Sequence, residues 1–118
     1  MIGRFYNLKV DIENLKPNII NTGFLFSKND INSSFINIEL FNKNVPIDLK
    51  NITVILAHKE GNHETNFYEI PKENIMDNIV IVPLPFEEKD ETGTNIFSLM
   101  LKNENQKIYT QTYSYRIV

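Results

Sequence analysis

Two histidines, His58 and His63, stand close together amid Glu60, Glu64 and Glu69. Imidazole and carboxylate are both suitable zinc ligands, so this stretch has the residue types for a divalent-metal site across a hairpin. A tight structural site usually draws on a more compact ligand set, commonly with Cys, and the chain has no cysteine. The spacing reads more simply as an exposed polar turn.

Nucleophilic catalysis needs a Ser or Cys beside a base that is itself oriented. Ser27, Ser33, Ser34, Ser98 and Ser114 fall in strand or turn contexts without an elbow motif, and only two histidines are available as bases. Paired carboxylates occur at Glu87, Glu88, Asp90 and Glu91. Glycosidases flank a cleft with such pairs, but this group sits on one polar turn, where solvated charge at a cap is the simpler account. Gly3, Gly23, Gly61 and Gly93 are too dispersed to cradle a phosphate. The chain is therefore expected to be no enzyme and to need no metal or cofactor. Tyr109, Tyr113 and Tyr115 share the parity of one strand face. They could stack on a sugar, but core or protein interface is the better reading, because the strand ends apolar at Ile117 and Val118.

The elements that must hold these residues are strands. Period-two alternation, broken by polar turn clusters, runs through most of the sequence. In residues 5–14, Tyr6, Leu8, Val10 and Ile12 share one face, while Asn7, Lys9, Asp11 and Glu13 take the other. Pro17 interrupts this strand, and a short piece from Gly23 to Phe26 is expected to continue the same edge. Residues 34–41 place Ile36, Ile38 and Leu40 inward and Phe35, Asn37, Glu39 and Phe41 outward. Residues 52–58 are nearly all apolar, as in a central strand, and residues 64–70 are more polar, with Gly61 free to take positive φ between them. Residues 77–84, 95–102 and 107–118 complete the series, and the stretch Phe86 to Thr92 is the one candidate helical turn. About seven strands at this spacing predict an antiparallel, immunoglobulin-like β-sandwich in which one domain fills residues 1–118.

Composition agrees. The 118 residues are 42% hydrophobic and 23% charged, ordinary values for a packed domain. The net charge is −3 and the lysines are scattered, so no basic stripe offers itself to nucleic acid. No apolar run approaches the roughly 20 residues of a membrane helix, and the N-terminus lacks an apolar signal core, so neither membrane insertion nor export is expected.

Read as a whole, the order of motifs resembles the N-terminal domain of phage baseplate upper proteins. The segment Phe26-Ser27-Lys28-Asn29-Asp30-Ile31-Asn32-Ser33 is similar to that family's opening Asp-x-Asn turn. It is followed by Pro46-Ile47-Asp48-Leu49, the apolar strand Thr53 to Ala57, the Gly61 turn, Ile79 to Leu84, Gly93 before alternating apolars, and the closing strand Thr110 to Ile117. The resemblance runs from about Tyr6 onward. It implies a sandwich that anchors a longer protein to the hub of a siphophage baseplate, with receptor-binding proteins carried by a C-terminal part. This chain would then be such an N-terminal domain, or a short relative without the carrying half. Implied partners are other baseplate and tail proteins, with homo-oligomers in the assembled particle. The implied location is the virion tail tip, after synthesis in the host bacterial cytoplasm.

The family carries no catalytic residues, so no active site is inferred. Asp30, Asn32 and Ser33, with Gly61 and Gly93, are expected to shape turns through side-chain to backbone bonds and positive φ. The first and last strands are expected to be sheet edges, where neighbours can dock. The rival reading is a carbohydrate- or host-surface-binding module using exposed tyrosines such as Tyr68 or Tyr113.

Overall fold

The computed structural model describes residues 2–84 and 92–118. Eleven strands among the described residues form two facing sheets: β1 (Arg4–Asp11), β2 (Ile20–Phe26), β3 (Ser34–Asn42), β4 (Val45–Pro46), β5 (Thr53–Glu60), β6 (Asn66–Glu69), β7 (Ile75–Met76), β8 (Ile79–Pro83), β9 (Gly93–Lys102), β10 (Lys107–Tyr109) and β11 (Tyr113–Ile117). The first sheet has the order β1-β3-β8-β7, with β4 beside β3. The second has the order β2-β11-β9-β5-β6, with β10 beside β9. The candidate helical turn and the carboxylates Glu87, Glu88, Asp90 and Glu91 lie largely or wholly outside the described residues.

Alternation builds the core. β3 buries Ile36, Ile38 and Leu40 and turns Phe35, Asn37, Glu39 and Phe41 outward. Opposite them, β5 supplies Val54 and Leu56, β9 supplies Phe97, Leu99 and Leu101, and β11 supplies Tyr113, Tyr115 and Ile117. Burying each large side chain is worth roughly 1.5–3 kcal/mol. Phe26 packs its edge on Tyr115 at 5.5 Å, and Tyr6 closes the side of the sandwich over Phe24 and Phe26.

The all-β sandwich is as expected, but the wholly antiparallel arrangement is not. β1 runs parallel to β3, and β2 runs parallel to β11. Parallel neighbours need a crossover, and β2 supplies it: after β1 the chain passes to the second sheet and returns, so β3 starts at the same end as β1. For the same reason, the piece around Gly23 to Phe26 does not extend the first edge but belongs to the opposite sheet. Period-two patterning fixes which face of a strand is buried, not its direction relative to its neighbour. The strand count exceeds the expected seven because β4, β6, β7 and β10 are pieces of two to four residues.

Candidate functional site

The two histidines diverge. His58 faces inward from β5 and is 1% exposed, whereas His63 lies in the exposed turn after that strand, its N–H on the Glu60 carbonyl at 2.8 Å. His58 Nε2 meets the Tyr115 hydroxyl at 2.5 Å, and Asn95 Nδ2 donates to the same oxygen at 3.2 Å. If Tyr115 gives its proton to Nε2 while accepting from Asn95, all these groups are satisfied. Asn95 Oδ1 in turn accepts the Gly61 N–H at 3.1 Å, tying the turn after β5 to β9. Burial, reinforced by Glu60 and Tyr68, pushes the Tyr115 phenol well above its ordinary range, against the pull of the Asn95 bond. A buried polar network of this kind fixes strand positions. With His58 and Tyr115 enclosed, it offers no face to a substrate. Among the described residues, no group of three or more His, Cys, Asp or Glu is placed to hold a metal.

The tyrosines do not share a face. Tyr113 and Tyr115 are core residues, 8% and 0% exposed, while Tyr109 is 42% exposed. The expected single last strand is two collinear pieces along β9: Tyr109 pairs with Met100 and Tyr113 with Phe97. Thr110, Gln111 and Thr112 thus stand opposite only Ser98 and Leu99, a bulge that reverses the facing of everything beyond it. Thr110 keeps the ladder closed by accepting the Leu99 N–H on its side-chain Oγ1 at 3.0 Å. Gln111 is buried and accepts the Lys16 N–H at 2.6 Å while donating to the Asn18 carbonyl at 2.8 Å, which clamps the loop between β1 and β2. The sequence signal for this bulge is the polar run between Tyr109 and Tyr113, which alternation alone passes over.

In the turn before β3, the Ser27 carbonyl accepts the Asp30 N–H at 3.0 Å, and Ser27 Oγ accepts the Asn29 N–H at 3.2 Å. The Asp30 carboxylate pairs with Arg4 Nε at 2.6 Å, and the Ser33 carbonyl takes the Arg4 N–H at 2.7 Å, so Asp30 and Ser33 both hold the start of β1. Asn32 has φ +52°, Gly61 φ +50° and Gly93 φ +135°. Nothing in the sequence announces the Arg4–Asp30 pair.

Only one of the two strands expected at sheet edges is there. β11 lies between β2 and β9, inside the second sheet, because the parallel β2 covers its far side. β1 is a true edge. Its bonds to β3 run from the Arg4 N–H on the Ser33 carbonyl to the Ile12 N–H on the Phe41 carbonyl. In a parallel ladder, alternate residues make those bonds, so Phe5, Asn7 and Lys9 turn their N–H and C=O groups away from β3. Outside this edge, the first sheet shows the stacked pair Phe5–Phe35 at 4.8 Å and the exposed Ile79, Ile81 and Met76. At the end of the sandwich, a cleft of about 610 Å³ has Ile12, Ile47, Ile52, Leu101 and Ile108 in its lining, with Lys102, Lys107 and the amides of Asn42, Asn103, Asn105 and Gln106 beside them.

No family model matches the chain, and no curated protein does. Among solved structures, the N-terminal domain of phage TP901-1 ORF48, a baseplate upper protein, superposes with a TM-score of 0.64 over 99% of this chain and 98% of that one. The fold is that of a baseplate upper protein's N-terminal domain. At 13% identity the likeness is one of fold, and it falls on the family whose motif order the sequence resembles.

Proposed function

We propose that this chain is a non-enzymatic structural domain of a phage or prophage tail baseplate, a virion component that anchors a receptor-binding assembly to the tail hub through contacts with other tail proteins. The observation that carries the reading is the match of fold over nearly the whole length of both chains. Seven of the strands, β1, β2, β3, β5, β8, β9 and β11, are five residues or longer. That supports an immunoglobulin-like reading of the sandwich as a single domain. The polar side chains a catalyst would need are engaged in the fold instead: His58, Tyr115 and Asn95 in the core, Asp30 on Arg4. Mass spectrometry of purified particles from the source phage should find the protein in the tail, with antibody labelling at the tail tip. Particles lacking it would refute the proposal.

One observation favours a second reading, binding of a host-surface glycan. Exposed Phe67 and Tyr109 border a groove on the outer face of the second sheet, beside Lys59, Ser98 and Thr112. Glycan-array binding that disappears in Phe67→Ala and Tyr109→Ala would support it, and an array without a binder would end it.

A further inference from the structure

We propose that the outer face of the second sheet binds a linear acidic glycan, its sugar rings beside Phe67 and Tyr109 and its acid groups on cations at either end of their groove. This assignment rests on the host-glycan reading and names the chemical class of its ligand.

The sequence scatters its lysines, but strand pairing gathers several on one face. Phe97, Leu99 and Leu101 point into the core, so Thr94, Ile96, Ser98, Met100 and Lys102 point outward from β9. Arg116 stands opposite Thr94, Lys59 opposite Ile96, and Lys107 opposite Lys102, all on that outer face. Among the strand residues there, only Glu69, opposite Ile55, is acidic. The turns add Glu64 after Lys59 and Glu104 after Lys102, and the face remains positive on a chain whose net charge is −3. The outer face of the first sheet sets Lys9 against Asp11 and Glu39.

Among the described residues, Lys59, Lys102, Lys107 and Arg116 form no ion pair. Lys102 and Lys107 face each other directly, and like charges so placed destabilise a sheet. An anion lying over the pair removes that cost.

The cations bracket the aromatic groove. From Thr94 to Lys102, β9 runs about 27 Å at roughly 3.4 Å per residue, with Arg116 and Lys59 toward one end and Lys102 and Lys107 at the other. Between them lies the groove, about 220 Å³ in volume, with the small, buried Ala57 and Ser98 among its lining and exposed Phe67 and Tyr109 beside them. Lys107 Nζ is 6.0 Å from the centre of the Tyr109 ring, so one cation already stands next to an aromatic wall. Aromatic rings can cover the apolar faces of sugars while the hydroxyls of Thr65, Ser98 and Thr112 bond their polar edges. A nucleic-acid strand fits less well. It carries a phosphate on every unit, and the middle of this face has no cation and has Glu69 beside it.

An array carrying uronate, sialate and phosphosugar glycans beside their neutral counterparts, probed with the whole chain, tests the assignment. Acidic members should bind about tenfold more tightly than their neutral counterparts, as two exposed ion pairs would provide. Affinity for the strongest acidic binder should fall as salt rises from about 0.05 to 0.5 M. The double variant Lys59→Gln, Lys107→Gln should weaken binding about tenfold and flatten that salt dependence, while Lys9→Gln on the first sheet leaves both unchanged. An array without any binder ends the glycan reading and this assignment with it. Neutral glycans that bind as tightly as acidic ones, or a double variant that binds as the wild type does, overturn the assignment and leave the glycan reading standing. Single-stranded DNA that binds more tightly than every acidic glycan overturns it in favour of a nucleic-acid partner.

Discussion

Thr110 replaces its own carbonyl with its side chain: Oγ1 accepts the Leu99 N–H at 3.0 Å while the Thr110 N–H donates to the Leu99 carbonyl at 2.9 Å. The substitution lets β10 and β11 differ by one residue in register without leaving a buried donor unmet. Thr22 does the same for the neighbouring irregularity in β2, its Oγ1 donating to the Ser114 carbonyl at 2.7 Å and accepting the Phe24 N–H at 3.1 Å. Two threonines thus repair the ladder on the two strands where the second sheet is interrupted.

Thr110→Val keeps the shape and removes the acceptor. It should lower unfolding free energy by about 1–3 kcal/mol, the penalty for a stranded buried N–H, while Thr110→Ser stays closer to the wild type. Urea denaturation of the three proteins, compared at equal m-value, is the measurement.

Tyr115→Phe removes the oxygen that His58 and Asn95 share and should cost about 1–3 kcal/mol. It should also change the alkaline limb. A phenol whose folded pKa lies above its unfolded value adds stability that is fully present below pH about 10 and is lost as pH rises toward the folded pKa. Burial pushes Tyr113 in the same direction. Denaturation midpoints followed from pH about 8 to 11 should therefore fall less steeply in Tyr115→Phe than in the wild type.

Asp11 governs the acid limb. Its carboxylate accepts the Asn44 N–H at 2.8 Å, the Glu13 N–H at 3.0 Å and the Lys43 N–H at 3.1 Å. Those bonds hold its pKa below the usual carboxylate value, Asn44 most strongly. The stability it adds is present above the unfolded pKa and is lost as pH falls through the folded one. Asp11→Asn should be less stable at neutral pH, with the gap from the wild type closing below pH about 4. Thermal melts across that range would show it.

Gly23 has φ +77° with open space where a Cβ would stand. Gly23→Ala should therefore cost only the left-handed backbone penalty, roughly 1–2 kcal/mol, with no change in core packing. A loss much larger than that, read by calorimetry, would mean the break in β2 is held by more than its backbone.

The sequence made the strands and their buried faces legible, because alternation needs only the local period: Ile36, Ile38 and Leu40, and likewise Tyr6, Leu8 and Val10, lie where their parity puts them. Partner and direction were not legible. The β1–β3 and β2–β11 pairings depend on the path of the chain between sheets. The tyrosines show the limit most clearly. Tyr109 and Tyr113 have the same parity, yet one inserted residue at Thr110–Thr112 sends them to opposite faces. The His58–Tyr115–Asn95 network was equally hidden, since it joins three strands distant in sequence.

The placement of β11 between β2 and β9 also sets the order in which the molecule can be made. β2 is synthesised well before its neighbour in the sheet, β11. Pairings this distant in sequence are slow to form, and β2 has no sheet to join until Tyr113–Ile117 has emerged. Deleting Tyr113–Ile117 would therefore not trim a margin. It would leave β2 without its neighbour and open the middle of the second sheet.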